Sequence, residues 1–292
     1  MSVSKVVKAL DYALQTAPSY APPSGLWGQK ITITTSSGVT IKSDDLDFTF
    51  TIPFDDDLEP NEAEFTIYNL SDVTASKIKF NDEITVTAGY GDDTGIIFTG
   101  RISRAFTNWK GNDRVTDIEA IDTHSLEDTE LQDISYGAGT SAQTILTDLI
   151  GKLNLPIAVS SYRRDYVYTD KVNVTGKLLD NIKKYSEVCG VSTYINQGKV
   201  YSRYVKDGDN IGFKVCVETG MIDDPQQWEE EQTAEDFKET VTGYSISMLL
   251  QHRITTGAIV RIQSRNVTGE FRVRSGKHSY DGLNLTTNIE VI

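Results

Sequence analysis

The residues best suited to chemistry are few and scattered. Asp55, Asp56 and Asp57 stand together with Glu59 two positions on. Clustered carboxylates at a turn suit a hard cation such as calcium, but the alternate spacing and central glycine of a calcium-binding helix–loop–helix are missing. The run therefore reads as a solvated turn. Gly89 to Asp93 (GYGDD) resembles a glycine-rich phosphate loop only in composition and reads as a β-turn. His124, His252 and His278 each lack a partner acid or nucleophile at a motif spacing, and no cysteine lies near any of them. They read as structural or exposed histidines. Cys189, at the end of an expected helix, and Cys216, in an expected strand, read as small buried hydrophobes. The glycan sequons at Asn69, Asn173 and Asn266, among others, read as chance matches. The sequence thus offers no catalytic residue, no cofactor-binding residue and no metal ligand, and implies no enzyme activity and no cofactor.

The totals narrow the class. The 292 residues suffice for two or three domains with cores of their own. No apolar run approaches the roughly 20 residues of a membrane helix. The first twenty residues carry no sustained apolar stretch and no cleavage site, so secretion is not expected. A net charge of −14 argues against binding nucleic acid through a basic face. The acid is concentrated: Asp44 to Glu64 holds nine acids and no base, and Glu218 to Glu239 holds nine acids and only Lys238. From Val241 onward the balance reverses, with Arg253, Arg261, Arg265, Arg272, Arg274 and Lys277 against Glu270, Asp281 and Glu290. Such runs are either solvated faces, or complementary surfaces between copies, or a lining that repels a passing polyanion.

The elements are mostly strands. From Asp47 to Arg101 the period-2 alternation of Phe48, Phe50 and Ile52 and of Phe65, Ile67 and Asn69 predicts two strands. A short helix follows, capped by Ser71 and ending by Ile78. Then come a strand from Asp82 to Tyr90, a GDDTG turn and a strand from Ile96 to Gly100. Trp27 to Ile41 adds two strands before this stretch. Ile102 to Thr107 and Arg114 to Asp122 add a hairpin after it, turning at Asn108 to Asp113. About seven strands then make a first small β-barrel domain, residues 26–125. Residues 1–25 precede it, with an amphipathic helix over 4–16 and a Pro-rich spacer. Its apolar stripe docks either on its own barrel or on a neighbour.

Beyond residue 125 the pattern changes. Ser125 to Gly139 reads as a polar connection. Two helices follow: one capped at Thr140-Ser141 and running to about Leu153, the other ending at Gly190. With a strand at Leu155 to Val159 and a hairpin turning at Asn196-Gln197-Gly198, they make an α+β module of two helices and about three strands, residues 126–206. A second β-barrel domain, residues 207–292, contains an acidic loop from Thr219 to Lys238 and strands at ETVTGYSISM, AIVRIQSR, FRVRSGKHSY and LTTNIEVI. The expected class is mainly β with an α+β insert: two small β-barrel domains flanking a small α+β module.

Several pieces of the chain resemble the baseplate hub proteins of phage tails, including those of PBSX-like prophages and phage-tail-like bacteriocins. They are Tyr68-Asn69-Leu70-Ser71, Gly89-Tyr90 and Phe98-Thr99-Gly100-Arg101-Ile102 near one end, and Gly243-Tyr244, Met248-Leu249-Leu250, Gly269-Glu270-Phe271-Arg272-Val273 and His278-Ser279 near the other. The resemblance covers most of residues 28–292. It implies a homotrimer in which two similar barrels per chain make a pseudo-sixfold ring. That ring would join a sixfold tail tube, or a tube-initiator protein, to a threefold central spike, with wedge or sheath-initiator proteins around it. It implies a place in the virion or tail-like particle, assembled in the host bacterial cytoplasm, with no specific nucleic-acid binding and no membrane segment. Many such hubs of long non-contractile tails continue into a host-binding or peptidoglycan-cleaving region. This sequence ends at Ile292, which favours a contractile or bacteriocin-type particle. Two alternatives remain at this point. One is a tail-associated cell-wall hydrolase or glycan-binding protein, with Tyr168, Tyr194, Tyr201 and Tyr204 stacking on sugars. The other is a tail-tube initiator subunit.

Overall fold

The computed structural model describes residues 28–122, 130–234 and 237–292, and for 231–234 and 237–240 it describes the backbone alone. The helix expected over 4–16, its spacer and His124 lie outside the described residues.

Seven strands form the first β unit: β1 (Gln29–Thr35), β2 (Thr40–Lys42), β3 (Phe48–Phe54), β4 (Glu62–Tyr68), β5 (Glu83–Tyr90), β6 (Asp93–Lys110) and β7 (Asp113–Ile121). Alternation puts Phe48, Phe50, Ile52, Ala63, Phe65, Ile67, Ile84 and Val86 on the inner face, all at most 3% exposed. Their side chains meet in one cluster, so the sheet wraps round its own core. Each such aromatic or aliphatic side chain contributes about 1.5–3 kcal/mol by leaving water. The helix α1 (Asp72–Ala75) joins β4 to β5, and the Ser71 hydroxyl accepts from the Thr74 N–H as its cap.

The expected strands Ile96 to Gly100 and Ile102 to Thr107 are one continuous strand, β6. Pairing with β5 shifts register past Val86, and pairing with β7 shifts between Ile102 and Arg104. Each bulge reverses which side chains face inward, so an unbroken strand shows a broken period. The turn before it is tighter than GDDTG. Tyr90 pairs with Asp93, leaving Gly91 and Asp92 as the loop, with Gly91 in the left-handed region at φ 56°.

The α+β part contains α2 (Ala142–Gly151) and α3 (Leu178–Cys189) with β8 (Glu130–Tyr136), β9 (Ile157–Ser160), β10 (Val172–Lys177), β11 (Ser192–Asn196) and β12 (Lys199–Arg203). Ser141 caps α2, and Gly190 closes α3 in the left-handed region at φ 67°. The structure has five strands here, not about three. The stretch read as a polar connection contains β8, which pairs with β10 across a bulge and turns Leu131 and Ile134 toward the helices. That bulge and the polar residues around it hide the alternation.

The second β unit has β13 (Asp209–Val215), β14 (Gln226–Ala234), β15 (Phe237–Leu249), β16 (Ala258–Gln263), β17 (Thr268–Tyr280) and β18 (Leu285–Val291). Its order is β13-β16-β17-β18-β15-β14, with β13 parallel to β16 and the other pairs antiparallel. The acidic stretch read as a loop is thus largely β14 and the start of β15. The glutamates conceal a ladder that runs from Gln226↔Ser245 to Ala234↔Phe237.

The class is mainly β with an α+β part, as expected, but the hydrogen bonds do not close either unit into a ring. Among the described residues β2 pairs only with β1, β14 only with β15 and β13 only with β16. Instead β17 pairs with β3, from Gly276↔Phe54 to Tyr280↔Phe50, and makes one 13-stranded sheet of both units. Gly276 sits at that seam. A Cβ there would lie 2.4 Å from the Asn288 carbonyl oxygen and 2.7 Å from the Phe54 ring. Replacement Gly276→Ala should cost about 1–3 kcal/mol, read as a lower urea midpoint with an unchanged slope. An unaltered midpoint would mean that the seam is loosely packed.

Candidate assembly surface and inter-unit junction

The structure brings few of the candidate residues together. Among the described residues, no group of three or more His, Cys, Asp or Glu side chains is arranged to hold a metal ion. Nor, among those residues, is any helix long and apolar enough to cross a membrane. Cys189 and Cys216 are free and buried. Burial pushes the Cys189 thiol up to about 11, which leaves it protonated and unreactive at neutral pH. The four tyrosines proposed as a sugar platform are otherwise engaged. Tyr194 is fully buried and stacks on Tyr201 at 5.2 Å with the rings 6° apart. The Arg163 guanidinium covers the Tyr204 ring at 3.6 Å, and Tyr168 packs edge-on against Tyr185.

The acidic turn between β3 and β4 departs from its reading as solvated. Asp57 and Glu59 are exposed, but Leu58 is buried in the α+β core and the Asp56 side chain is 14% exposed. Asp56 Oδ2 accepts from Arg272 Nη1 at 2.8 Å, and the Arg272 side chain is 1% exposed. Arg274 Nε stands 3.6 Å from the other Asp56 oxygen, and its Nη1 donates to Glu230. These arginines lie more than 200 residues along the chain, beyond the reach of any local spacing rule.

Around this pair the three parts of the chain meet. The Arg272 guanidinium lies 5.4 Å from the centre of the Tyr194 ring. Arg203 donates to the Tyr194 hydroxyl from Nε at 3.0 Å and from Nη2 at 2.6 Å, and to Asp209 from Nη1 at 3.0 Å. Gly257 closes the contact from the second unit: at φ 78° its missing Cβ leaves the space taken by Arg203 Nη2 and the Tyr194 hydroxyl. Ile195 N–H donates to the Asp57 carbonyl, while the Asn196 amide exchanges hydrogen bonds with Thr255 and Thr256. The strand β11 is therefore bonded to both β units.

A second joint lies at the β5–β6 turn. Arg253 grips Asp93 through both terminal nitrogens, at 3.0 and 2.5 Å, and Gln251 Nε2 donates to the same carboxylate at 3.2 Å. Although burial alone would raise it, hydrogen bonds from Arg253 and Gln251 hold the Asp93 carboxyl below its ordinary value. His252 packs its ring over Gly95, and His278 is buried with Nδ1 2.8 Å from the Thr287 hydroxyl. Burial pushes His278 down to about 4, so it is neutral near pH 7.

A groove of about 410 Å³ separates the acidic turn from the second unit, lined by Asp55, Asp56 and Asp57 on one side and Trp228, Glu230, Arg274, Ser275 and Glu290 on the other. Burial, then the adjacent Asp57 charge, pushes Asp55 up to about 7. The outer surface carries large exposed apolar side chains, among them Val73, Phe80, Trp109 and Leu283. Arg272, Arg203 and Trp109 were not singled out by spacing. An arginine on an alternating strand and a tryptophan at a hairpin tip were the only local signals.

With this geometry in place, comparison with known proteins decides the family. The family described as baseplate hub gp41 matches residues 63–269. The chain belongs to that family. No curated protein sequence matches it. Among solved structures it is similar to the 43 kDa tail protein of prophage MuSo2 from Shewanella oneidensis, with TM-score 0.63 and 9% identity over 91% of this chain and 98% of that one. It is also similar to a tail protein from Neisseria meningitidis MC58, with TM-score 0.58 and 10% identity over 91% and 96%. A third is the E. coli c3393 protein, a type VI secretion component with similarity to the T4 tail proteins gp27 and gp5. There the TM-score is 0.58 and the identity 9%, over 89% and 76%. At these identities the shared property is the fold. Membership of the hub family gives the chain a structural role in a phage-tail baseplate and interaction with other tail components.

Two outcomes test the junction of this hub-family chain. Replacing Arg272 by Ala leaves Asp56 with Arg274 Nε at 3.6 Å as its remaining charged partner and should cost about 1.5–3 kcal/mol, whereas the double change Arg272→Met with Asp56→Leu should cost much less. Urea unfolding at pH 7 checks both, and equal losses would show that the charge pairing is not the reason. For Asp55 the folded-state value, near 7, lies above the 3.8 of an unperturbed carboxyl. The folded protein then holds a proton that the unfolded chain has lost, so stability falls as pH rises from about 4 to about 7. Asp55→Asn should flatten that slope and stabilise the protein at pH 8. An unchanged pH profile would refute the burial of this carboxyl.

Proposed function

We propose that the chain is the structural hub of a phage or phage-tail-like baseplate, and that three copies make a pseudo-sixfold ring from their six β units. The observation that carries this reading is the build of the chain: two β units, each around its own core, fused through β17 and β3 into one sheet. Three copies of such a pair present six comparable positions with threefold symmetry overall. A ring of this kind seats the sixfold tail tube, or its initiator, on one side and the threefold spike on the other. Wedge or sheath-initiator proteins hold its rim. The working divisions are residues 26–125 and 207–292 for the ring-forming units and 126–206 for the module between them, with 1–25 as an N-terminal extension. The role is structural, not catalytic. The particle is the virion or a tail-like bacteriocin, assembled in the host bacterial cytoplasm. DNA passing through the lumen meets acidic runs that do not retain it.

Mass measurement of the purified chain by sedimentation or native mass spectrometry tests the ring, with three times 32.4 kDa expected. Electron microscopy of the particle tests its place. A single-chain mass in the assembled baseplate, sixfold rings of this chain alone, or density away from the tail axis would each overturn the reading.

A further inference from the structure

Among the strand edges left open in the described residues, those of β6 and β14 differ in chemistry. Beyond Arg101, β6 has no strand on the side that β5 occupies earlier, among the described residues. Asn81 and Asp82 reach Ile102, and from Ser103 to Lys110 the edge is bare. This edge carries Phe106 at 39% exposure and Trp109 at 72%, with the Arg104 guanidinium 4.7 Å over the Phe106 ring. Arg104 and Lys110 are both well exposed and pair with Glu119 and Asp117 of the adjoining strand.

The other open edge is β14, which pairs with β15 and with no other strand among the described residues. Its ladder with β15 continues from Glu229↔Thr242 to Ala234↔Phe237, past the point where β15 leaves β18 at Tyr244. A two-stranded ribbon standing alone is marginally stable in water, so this one gains from a third strand. Here the edge is acidic: Glu229 and Glu230 are exposed, and Glu231 follows in sequence. Each open edge is about 25–30 Å long at the usual rise per residue.

We propose that the β6 edge of one copy lies against the β14 edge of a second copy, with Phe106 on one face of the joined sheet and Trp109 on the other covering the contact. The proposal rests on the ring reading and names the surfaces that would form it. The partner is a second copy because the two edges of one chain are complementary, one basic and aromatic, the other acidic. An edge on each β unit makes a head-to-tail contact, the type that closes a ring. The glutamates also reject neutral or acidic strands, which protects the edge until the basic one arrives. Tryptophan and arginine are among the residue types that most often carry an interface, and this edge has both in Trp109 and Arg104.

Sedimentation velocity across a dilution series tests this with the full chain. Trp109→Ala should weaken self-association about thirtyfold or more, and Glu229→Lys with Glu231→Lys should do the same from the opposite edge. All three positions lie on open strand edges, so melting temperatures should match the parent. Adding Lys110→Glu to Glu229→Lys should restore association, whereas adding Lys77→Glu, which returns the same net charge from an exposed site away from both edges, should not. A parent that forms trimers while every variant also does so overturns this contact and leaves the ring standing. A parent that stays monomeric at all concentrations overturns both.

Discussion

Arg272 is a fixed charge in a place without water. Its side chain is 1% exposed, its Nη1 is bonded to Asp56, and its Nε and Nη2 find no hydrogen-bond partner among the described residues. Taking a guanidinium out of water costs several kcal/mol, and one ion pair returns only part of that. The pair is therefore a poor source of stability compared with an apolar pair of the same volume. What it supplies is a condition on geometry. The β3–β4 turn must lie where it does, or a buried cation is left uncompensated. Because Asp56, Arg272 and Tyr194 come from the first unit, the second unit and the module between them, one condition sets three relative positions. The face of Tyr194 then adds a favourable contact for the cation.

The rest of the fold follows from this arrangement. The β17–β3 ladder makes the two units one sheet, and the Arg253–Asp93 grip fixes their far end. Two separated joints and a ladder oppose rotation of one unit against the other far more than a single contact would. The cores themselves are ordinary apolar clusters that would tolerate many substitutions of similar volume. The orientation between them depends on a few polar side chains that would not. For a structural component of a baseplate, stiffness at the junction matters more than stability within each unit.

How much of this was legible in the sequence depends on the range of the interaction. Alternation at Phe48, Phe50 and Ile52 gave β3, and Ser71, Ser141 and Gly190 gave helix ends, because those signals act within a few residues. The continuity of β6 was hidden by its two bulges, each of which reverses the period. The strand β14 was hidden by its glutamates, since propensity counts them against a strand and only pairing with β15 restores it. Asp56 was misread because its partner lies 216 positions away. Resemblance of ordered motifs at both ends supplied the family, but it carried no information about which side chains meet at the junction.

The open edges complete the picture. A sheet that wraps its core without closing leaves backbone donors and acceptors facing water, and a soluble protein normally shortens, bends or covers such strands. Here β2 is cut to three residues, while β6 and β14 run bare for most of a strand length. The economy is therefore selective: β2 has been shortened, β13 has been kept, and so have β6 and β14. Those two differ in charge, and each belongs to a different β unit. A fold stabilised only for itself would gain from closing both units by hydrogen bonds. In the proposed contact between copies the added strand would offset the cost of leaving them open, and the junction at Arg272 would set the angle between the two edges.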